Sequence, residues 1–429
     1  MPRVVIVGGG WAGCAAALAA KKAGADVVVV EKTDCLLGTG LVGGIFRNNG
    51  RFTAAEEMIA LGGGELFQLM DQVARHTNVE FPGHKHASLY DVALMEPLVR
   101  RTLLEQGIEL RLMSRACEVT TNAGRIESIR PEAVETEERL EGDVFVEATG
   151  TAGPQANCRK YGNGCAMCIL RCPSWGGRVS IAGRAGIHEI VGRKPDGSPG
   201  AFSGSCKLHK DSVDRAIVAE LNRTGVAVVP IPKEMVHAEK LAIKACQQYA
   251  LPEFAESLVL LDTGHVKLMT SFFPLDELRH VPGMENARYE DPYAGGKGNS
   301  IRFLAMSPRD DHLHVEGLDN LFCAGEKAGL LVGHTEAICT GVLAGHNAVR
   351  WALGRPLLTI PRSTMVGEAI AYVREQMQSE EGLFKKYTVS GSVLLEHMKE
   401  LGLYTTDREA IAARVEAAGM SDLFARPVV

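Results

Sequence analysis

The 429-residue sequence has little of what marks fibrous, disordered or membrane proteins. It contains 18 prolines against 47 glycines and is 46% hydrophobic, a composition that excludes collagen, mucin-like stalks and bulk disorder. No apolar run reaches the roughly 18 residues that a membrane-spanning helix needs, and the nearest approach, residues 324–349, is interrupted by charged side chains. We therefore expect a soluble globular protein of roughly two or three domains, without membrane contact.

A surplus of basic residues is also missing. Lysine and arginine total 46 and aspartate and glutamate total 52, which leaves a net charge of −6. Nucleic-acid affinity depends mainly on cationic contacts to phosphate, so this balance makes nucleic acid possible as a partner but does not favour it. The eleven cysteines are an odd number, and the chain opens on residues 4–7 of strand character rather than on a charged and then apolar leader. Both features predict the reducing cytoplasm.

The order of sequence patterns predicts an α/β fold. A strand at 4–7, an alanine-rich helix at 12–23 and a second buried strand at 27–30 form one βαβ unit. Residues 143–148 and 320–323 have the same buried-strand pattern. We therefore predict a discontinuous Rossmann-like nucleotide-binding domain with an inserted α+β substrate domain and a helical C-terminal tail.

The predicted domain boundaries follow changes in composition. The nucleotide-binding domain comprises residues 1–155 and 300–356, the cysteine-rich insertion residues 156–299, and the tail residues 357–429. Within the insertion, residues 233–249 predict an amphipathic helix.

A dinucleotide fingerprint follows the first strand. Gly8-Gly9-Gly10-Trp11-Ala12-Gly13 fits G-x-G-x-x-G between a strand and a helix, the context that distinguishes a real site from a chance match. Gly8 would allow the tight turn, Gly10 the approach of the backbone to the pyrophosphate, and Gly13 close packing of helix on strand. At the end of the next strand, Glu31 would bind the ribose hydroxyls, with Lys32 beside it. The predicted cofactor contacts here are Gly8, Gly10, Trp11, Ala12, Gly13, Glu31 and Lys32.

The remainder of the chain favours FAD over NAD as the cofactor. A flavin site needs later segments to return over the ribityl chain and the ring, and Gly150, Gly325 and Glu326 follow buried strands where backbone N–H groups could meet the cofactor. His334 begins the long helix that follows and is a candidate proton donor. No second fingerprint follows a strand, so the sequence does not name a nicotinamide site.

At these positions the sequence resembles the GidA-type flavoproteins. The similar segments are residues 8–13, Val-Glu-Ala-Thr-Gly at 146–150, and the stretches 281–287, 320–326 and 341–348. The resemblance implies FAD bound on a two-dinucleotide-domain type of architecture. The family includes tRNA uridine-modifying enzymes, among them folate- and FAD-dependent uracil methyltransferases. The resemblance is specific for FAD as the cofactor and says little about the substrate.

Four clustered cysteines suggest a second chemistry. Cys158, Cys165, Cys168 and Cys172 fall within 15 residues, and the last three form C-x2-C-x3-C-P, a pattern close to the tail of bacterial ferredoxins. The spacing predicts a [4Fe-4S] cluster that exchanges electrons with the flavin. Three alternatives remain open: a structural zinc site, a Cys165/Cys168 redox dithiol, and Cys172 as a catalytic nucleophile.

Two further polar groups are predicted to lie at the surface. They are His84-Lys85-His86 and the turn Asp310-Asp311-His312, whose aspartates and histidines could otherwise suggest a metal site.

Together these patterns predict an FAD-dependent oxidoreductase that passes electrons between the flavin and an iron–sulfur centre or a small substrate. Two alternatives are a flavin- and folate-dependent RNA uridine-modifying enzyme and an electron-transfer subunit of a larger redox complex. The expected partners are a small molecule or a redox protein, and a homodimer is the expected assembly.

Overall fold

The computed structural model describes residues 1–133, 138–150, 175–194, 196–198, 201–202, 205–241, 247–270, 273–290, 301–302 and 304–428. Its strands are β1 Arg3–Val7, β2 Asp26–Val30, β3 Ile45–Phe46, β4 Ala74–Phe81, β5 His84–Tyr90, β6 Glu109–Arg111, β7 Ser114–Asn122, β8 Arg125–Ala133, β9 Leu140–Glu141, β10 Val144–Glu147, β11 Ile190–Val191, β12 Ala201–Phe202, β13 Cys206–Leu208, β14 Val226–Pro230, β15 Ser257–Asp262, β16 Val266–Leu268, β17 Ile301–Arg302, β18 Ala305–Met306 and β19 Leu321–Cys323. Its helices are α1 Trp11–Lys22, α2 Gly50–Ala60, α3 Glu65–Gln72, α4 Val92–Glu105, α5 Ile181–Arg184, α6 Arg215–Thr224, α7 Glu253–Glu256, α8 Leu275–Leu278, α9 His334–Ala352, α10 Met365–Gln376, α11 Glu380–Leu383, α12 Ser392–Glu400 and α13 Arg408–Ala417.

A parallel sheet of five strands forms the centre of the nucleotide-binding part. Its order is β19-β10-β1-β2-β6, so the edge strand β19 comes from far along the chain. The strands are runs of valine and other apolar residues because both faces of such a sheet are covered. The α/β fold class and the Rossmann-like sheet are thus confirmed.

Helices α1 and α9 cross at unusually close range. A Cβ atom on Gly341 would lie 2.3 Å from the Ala12 carbonyl oxygen, and one on Gly345 would lie 2.2 Å from that of Ala16. Only glycine leaves room for backbone against backbone at these positions. This packing brings the N-terminus of α9 next to the turn that precedes α1.

Smaller antiparallel sheets surround this centre: three have three or four strands, ordered β7-β8-β9, β3-β5-β4 and β13-β16-β15-β14, and two are the strand pairs β11-β18 and β12-β17. The four-stranded sheet has its own apolar core under α6. A further cluster joins β4, β5 and β15. The four-stranded sheet therefore has a core of its own and can form one wall of a ligand site in the nucleotide-binding part.

The C-terminal helices pack onto the nucleotide-binding part. The buried carboxylate of Glu57 in α2 accepts hydrogen bonds from the first-turn N–H groups of Met365 and Val366 in α10, each at 2.9 Å. Arg414 in α13 donates to the same carboxylate at 3.1 Å. The predicted tail is helical and is held by buried hydrogen bonds.

The predicted helix at 233–249 is wrong. The described part of this stretch forms short 3₁₀ turns at Lys233–Met235, Ala238–Leu241 and Gln247–Tyr249. Met235 packs on the core of the four-stranded sheet, whereas Leu241 and Tyr249 pack on the separate cluster of β4, β5 and β15. The apolar spacing therefore serves two cores rather than one helix face. Within the described part of the chain, no helix combines the length and the apolar character needed to cross a membrane.

Candidate active site

The glycines of the fingerprint differ in what surrounds them. Gly8 has φ +106°, and a Cβ there would lie 2.4 Å from the Ala148 carbonyl oxygen. A Cβ on Gly13 would lie 1.8 Å from the Gly8 carbonyl oxygen. A Cβ on Gly10, in contrast, would have no described atom within 4 Å apart from those of the glycine itself and its chain neighbours. Gly8 and Gly13 are thus required by packing, whereas the missing side chain of Gly10 leaves open space.

The turn presents unpaired donors to that space. Helix α1 starts after Gly10 without a side-chain cap, so its first N–H groups remain for a ligand. Beside it, the carboxylate of Glu31 accepts hydrogen bonds from Gly9 N at 2.7 Å and from Thr33 N at 2.9 Å. An anion-binding helix end and a fixed acid at the end of β2 are the two elements that a dinucleotide requires.

The open space is part of a larger cleft. It brings together residues that the sequence predicted from distant segments. Its wall includes Gly8, Gly10, Trp11, Ala12, Glu31, Lys32, Gly150, Gly325, Glu326 and His334. Gly13 lies behind this wall, in the contact between α1 and the strand.

Three cationic side chains border the cleft beside the fingerprint. Lys32 donates to the Gly176 carbonyl oxygen at 3.1 Å, and Arg115 forms an ion pair with Glu132 at 2.6 Å. The guanidinium of Arg178 lies over Gly150, 3.0 Å from where a Cβ would be. Together with the end of α1, they make this part of the cleft favourable for phosphate.

A buried ion pair lies under another wall of the cleft. Arg51 Nε lies 3.1 Å from Glu336 Oε2, and both side chains are almost wholly buried. Glu336 also accepts hydrogen bonds from the Thr388 hydroxyl at 2.6 Å and from Val389 N at 3.0 Å. Since Arg51 and His334 both line the cleft, this network orients the start of α9 relative to the site.

The four-stranded sheet with its flanking residues, together with the 3₁₀ turn Gln247–Tyr249, supplies a second group of lining residues, which the sequence analysis did not single out. Ser205, Gln248, Tyr249, Lys267 and Met269 face the same cleft. The amide oxygen of Gln248 is buried and has no hydrogen-bond partner among the described residues. The only sequence signal was a lysine inside the apolar strand β16.

Lys267 is the most unusual of these residues. Its side chain is 5% exposed, and its Nζ donates to Ser205 Oγ at 2.8 Å and to the Val42 carbonyl oxygen. Burial, and to a lesser degree the Lys207 ammonium, lower the pKa of Lys267 to about 7. An amine with this pKa can both donate and accept a proton near neutrality.

The predicted metal-ligating and nucleophilic cysteines, Cys158, Cys165, Cys168 and Cys172, lie outside the described residues. Among those that are described, no cluster of three or more His, Cys, Asp or Glu side chains could hold a metal ion.

The described thiols are inert by environment. Burial raises the pKa of Cys206 and of Cys323 to about 12, and it also raises the pKa of Cys14, Cys35, Cys117 and Cys339. None of these six is an activated thiolate.

The surface location predicted for His84 is wrong. Its ring is 2% exposed, stacks on Phe81 with centroids 4.5 Å apart, and lies 3.0 Å from the side-chain amide of Asn48. Burial and then the nearby Arg51 lower the pKa of His84 to about 3. The histidine begins β5 directly after the turn that joins it to β4, so it faces the core.

The turn at 310–314 is built by hydrogen bonds within the protein. Asp310 Oδ1 accepts from His312 N and His314 N at 2.9 and 3.0 Å. The rings of His312 and His314 bond to the backbone oxygens of Leu358 and Asp319. Asp310 and the two histidines thus serve the turn, whereas Asp311 pairs with Arg374 of α10 at 2.8 Å.

Comparisons with known proteins agree with this architecture. Residues 3–153 match the family model described as FAD dependent oxidoreductase, and residues 259–356 match that described as Glucose inhibited division protein A. The solved structure of Aquifex aeolicus GidA superposes with a TM-score of 0.61 at 17% identity, covering 97% of this chain and 76% of that one.

The curated relatives match over shorter stretches. Methylenetetrahydrofolate--tRNA-(uracil-5-)-methyltransferase TrmFO of Synechocystis is 38% identical over 98 residues, 22% of this chain and 20% of the relative. The same enzyme of Dictyoglomus thermophilum is 30% identical over 117 residues, 27% of this chain and 26% of the relative. These alignments therefore span about a quarter or less of the relatives' own length.

The Rossmann-like sheet, the fingerprint and the first family match define an FAD-dependent oxidoreductase. The second match relates residues 259–356 to Glucose inhibited division protein A, and the fold is similar to that of Aquifex aeolicus GidA. The resemblance seen in the sequence is confirmed.

Proposed function

We propose that this chain is an FAD-dependent enzyme that modifies a uracil base of an RNA in the compartment next to the flavin site. The observation that carries this proposal is the continuity of the cleft. One part is the fingerprint turn with its free helix end, and another is formed by Ser205, Gln248, Tyr249 and Lys267. A cofactor anchored at the first part would extend toward a substrate held at the second.

The residues present fit FAD. The open position at Gly10, the uncapped start of α1 and the cations Lys32, Arg115 and Arg178 would hold the pyrophosphate, and Glu31 the ribose. When bound, the flavin supplies two-electron hydride chemistry. The start of α9 with His334 would lie along the same cofactor.

A uracil base suits the groups of the second compartment. Its imide N–H is a donor flanked by two carbonyl acceptors, and a side-chain amide matches such an edge with one acceptor and one donor. The buried amide oxygen of Gln248 has no hydrogen-bond partner among the described residues and can accept from the base, and the Tyr249 ring offers a stacking surface. The names of the curated relatives, which are tRNA uracil methyltransferases, support the same substrate.

The test is an assay on unmodified transcripts of tRNA. Protein loaded with FAD is incubated with the tRNA, NADPH and methylenetetrahydrofolate, and the nucleosides are separated and weighed by mass spectrometry. We expect a uridine heavier by one methyl group only when the tRNA, NADPH and methylenetetrahydrofolate are all present. The affinity for RNA should fall as the salt concentration is raised. Stoichiometric FAD with unchanged uridine would reject the RNA substrate. Protein that cannot bind FAD would reject the whole proposal.

A second candidate function rests on the spacing of Cys158, Cys165, Cys168 and Cys172. Four thiolates in this pattern are typical of an iron–sulfur cluster that feeds electrons singly to a flavin. Anaerobically purified protein should then contain about four irons per chain, and a Cys165→Ser or Cys168→Ser variant should lose them. Iron-free protein with full FAD content would remove this candidate.

A further inference from the structure

Lys267 occupies the middle of β16 with its side chain in the wall of the cleft. An ammonium group has three protons to donate. The described partners of Nζ are two oxygens, Ser205 Oγ at 2.8 Å and the Val42 carbonyl. One proton therefore remains for a ligand in the cleft.

The surroundings of Lys267 favour loss of a proton. Among the described residues, no carboxylate lies within ion-pair distance of its Nζ. Lys207 is directly opposite on β13, in register with Lys267, and like charges facing each other across a ladder repel. The other titratable neighbours are the Cys206 thiol, which burial keeps neutral, and His265, whose pKa burial lowers to about 4.

We propose that Lys267, assisted by the Ser205 hydroxyl, is the proton donor for reduction of a carbon–carbon double bond conjugated to a carbonyl group. This inference goes beyond the proposed function: the uracil ring contains such a bond, and its reduction would add two hydrogens to the base rather than a methyl group. The substrate gains a hydride from the reduced flavin on its β-carbon and a proton from the Lys267 ammonium on its α-carbon. The double bond is lost, Lys267 is left as a neutral amine, and the flavin is left oxidised. A reduced nicotinamide nucleotide or dithionite restores the flavin, and solvent returns the proton to the amine.

The first measurement follows the lysine itself and needs no turnover. Protein with FAD bound is labelled with ¹³C at the lysine Cε positions, and its NMR signals are followed against pH. We expect one signal, absent in Lys267→Met, to titrate near pH 7 rather than near 10. A Lys207→Met variant should move that signal to higher pH, because the facing charge is gone, whereas Lys233→Met at an exposed position should leave it unchanged. A Lys267 signal that titrates near 10 would overturn the inference.

The second measurement isolates the proton transfer. The flavin is reduced anaerobically with dithionite and mixed with 2-cyclohexen-1-one, and its reoxidation is followed by absorbance. The rate should fall as pH rises through about 7, because the donor form of the lysine is lost. Lys267→Met should slow the reaction by about 10² or more and remove this pH dependence, and Lys207→Met should shift the fall to higher pH. Reoxidation by oxygen, which needs no such donor, should be alike in all variants.

The outcomes separate the two proposals. Flavin-loaded Lys267→Met that reacts with the enone at the wild-type rate and pH profile would overturn the role of Lys267. Flavin-loaded wild-type protein that is reoxidised by oxygen but not by the enone would overturn the substrate class. Failure to bind FAD at all would reject the proposed function, and with it the role of Lys267 in flavin-dependent reduction.

Discussion

Arg51 and Glu336 form a buried ion pair although 285 residues separate them in the sequence, and Arg51 Nε lies 3.1 Å from Glu336 Oε2. The pair joins α2 to the first turn of α9 and, through Thr388, to the C-terminal segment. It therefore fixes three distant parts of the chain around one side of the cleft.

Glu336→Gln should destabilise the protein substantially. The change leaves the buried Arg51 charge without its counter-ion, which typically costs about 3–5 kcal/mol. Urea unfolding followed by circular dichroism would measure it. The matched control is Glu220→Gln, which removes an exposed pair with Arg223 and should cost at most about 1 kcal/mol. Equal effects of the two changes would contradict the role given to the buried pair.

Gly10→Ala should weaken FAD binding with little effect on folding. Its φ of −71° suits alanine and the new methyl group meets no protein atom, so the fold tolerates it. The methyl group occupies the space where the pyrophosphate would approach the backbone. We therefore expect the Kd for FAD to rise about tenfold or more, which corresponds to a loss of about 1.4 kcal/mol in binding free energy. Fluorescence titration of the FAD-free protein measures this.

Gly13→Ala provides the contrast. Its methyl group would lie 1.8 Å from the Gly8 carbonyl oxygen, so the fold itself must shift. We expect a lowered unfolding midpoint even without FAD. If Gly10→Ala binds FAD as tightly as wild type, the pyrophosphate does not lie at this turn.

Gly345→Ala should loosen the contact between α9 and α1. Its Cβ would lie 2.2 Å from the Ala16 carbonyl oxygen, and overpacking of this kind costs about 1–3 kcal/mol. Thermal and urea unfolding would both report the loss. Ala413→Ser, on the exposed side of α13, is the control and should stay within about 0.5 kcal/mol. If Gly345→Ala has the wild-type stability, the two helices can move apart far enough to admit a methyl group without cost.

His346→Leu should make the protein more resistant to acid. Both ring nitrogens of His346 are buried without a hydrogen-bond partner among the described residues, beside Phe424. Burial, with smaller effects of Arg350 and Lys22, lowers the pKa of His346 to about 4. The unfolded chain, with an ordinary histidine pKa of about 6.5, therefore binds the proton more tightly, and stability is lost as pH falls from about 6.5 toward 4.

The variant should accordingly lose less stability than wild type on acidification. Between pH 6.5 and 5 the difference should be about 2 kcal/mol in the free energy of unfolding. Urea titrations at the two pH values measure it, and His237→Gln, at an exposed position, should follow the wild-type curve. A His346→Leu curve parallel to wild type would contradict the low pKa.

The parts of the fold that could be predicted from sequence are those whose signals are local. The βαβ unit of residues 3–30 and the buried strand at 144–147 each carry an uninterrupted local pattern of apolar residues. The strand at 321–323 was also identifiable, because the apolar run Leu321-Phe322-Cys323 leads through Ala324 into Gly325.

The second part of the cleft could not be predicted in the same way. Lys267 and Gln248 are ordinary in their local sequence and become unusual only when the four-stranded sheet closes over the nucleotide-binding part. The stretch 233–249 misled for a related reason, since its apolar side chains are shared between two cores that are distant in sequence. Such long-range placement leaves no periodic signal.

The position of β19 at the edge of the central sheet sets an order of events during synthesis. The ribosome makes β1 and β10 within the first 147 residues, yet their sheet receives its edge strand only at Leu321–Cys323 and its close-packed helix only at His334–Ala352. Until then the outer edge of β10 and the alanine-rich face of α1 stay uncovered, which exposes the nascent chain to aggregation. From the strand order alone we therefore expect the chain to fold slowly and to need protection from aggregation during synthesis.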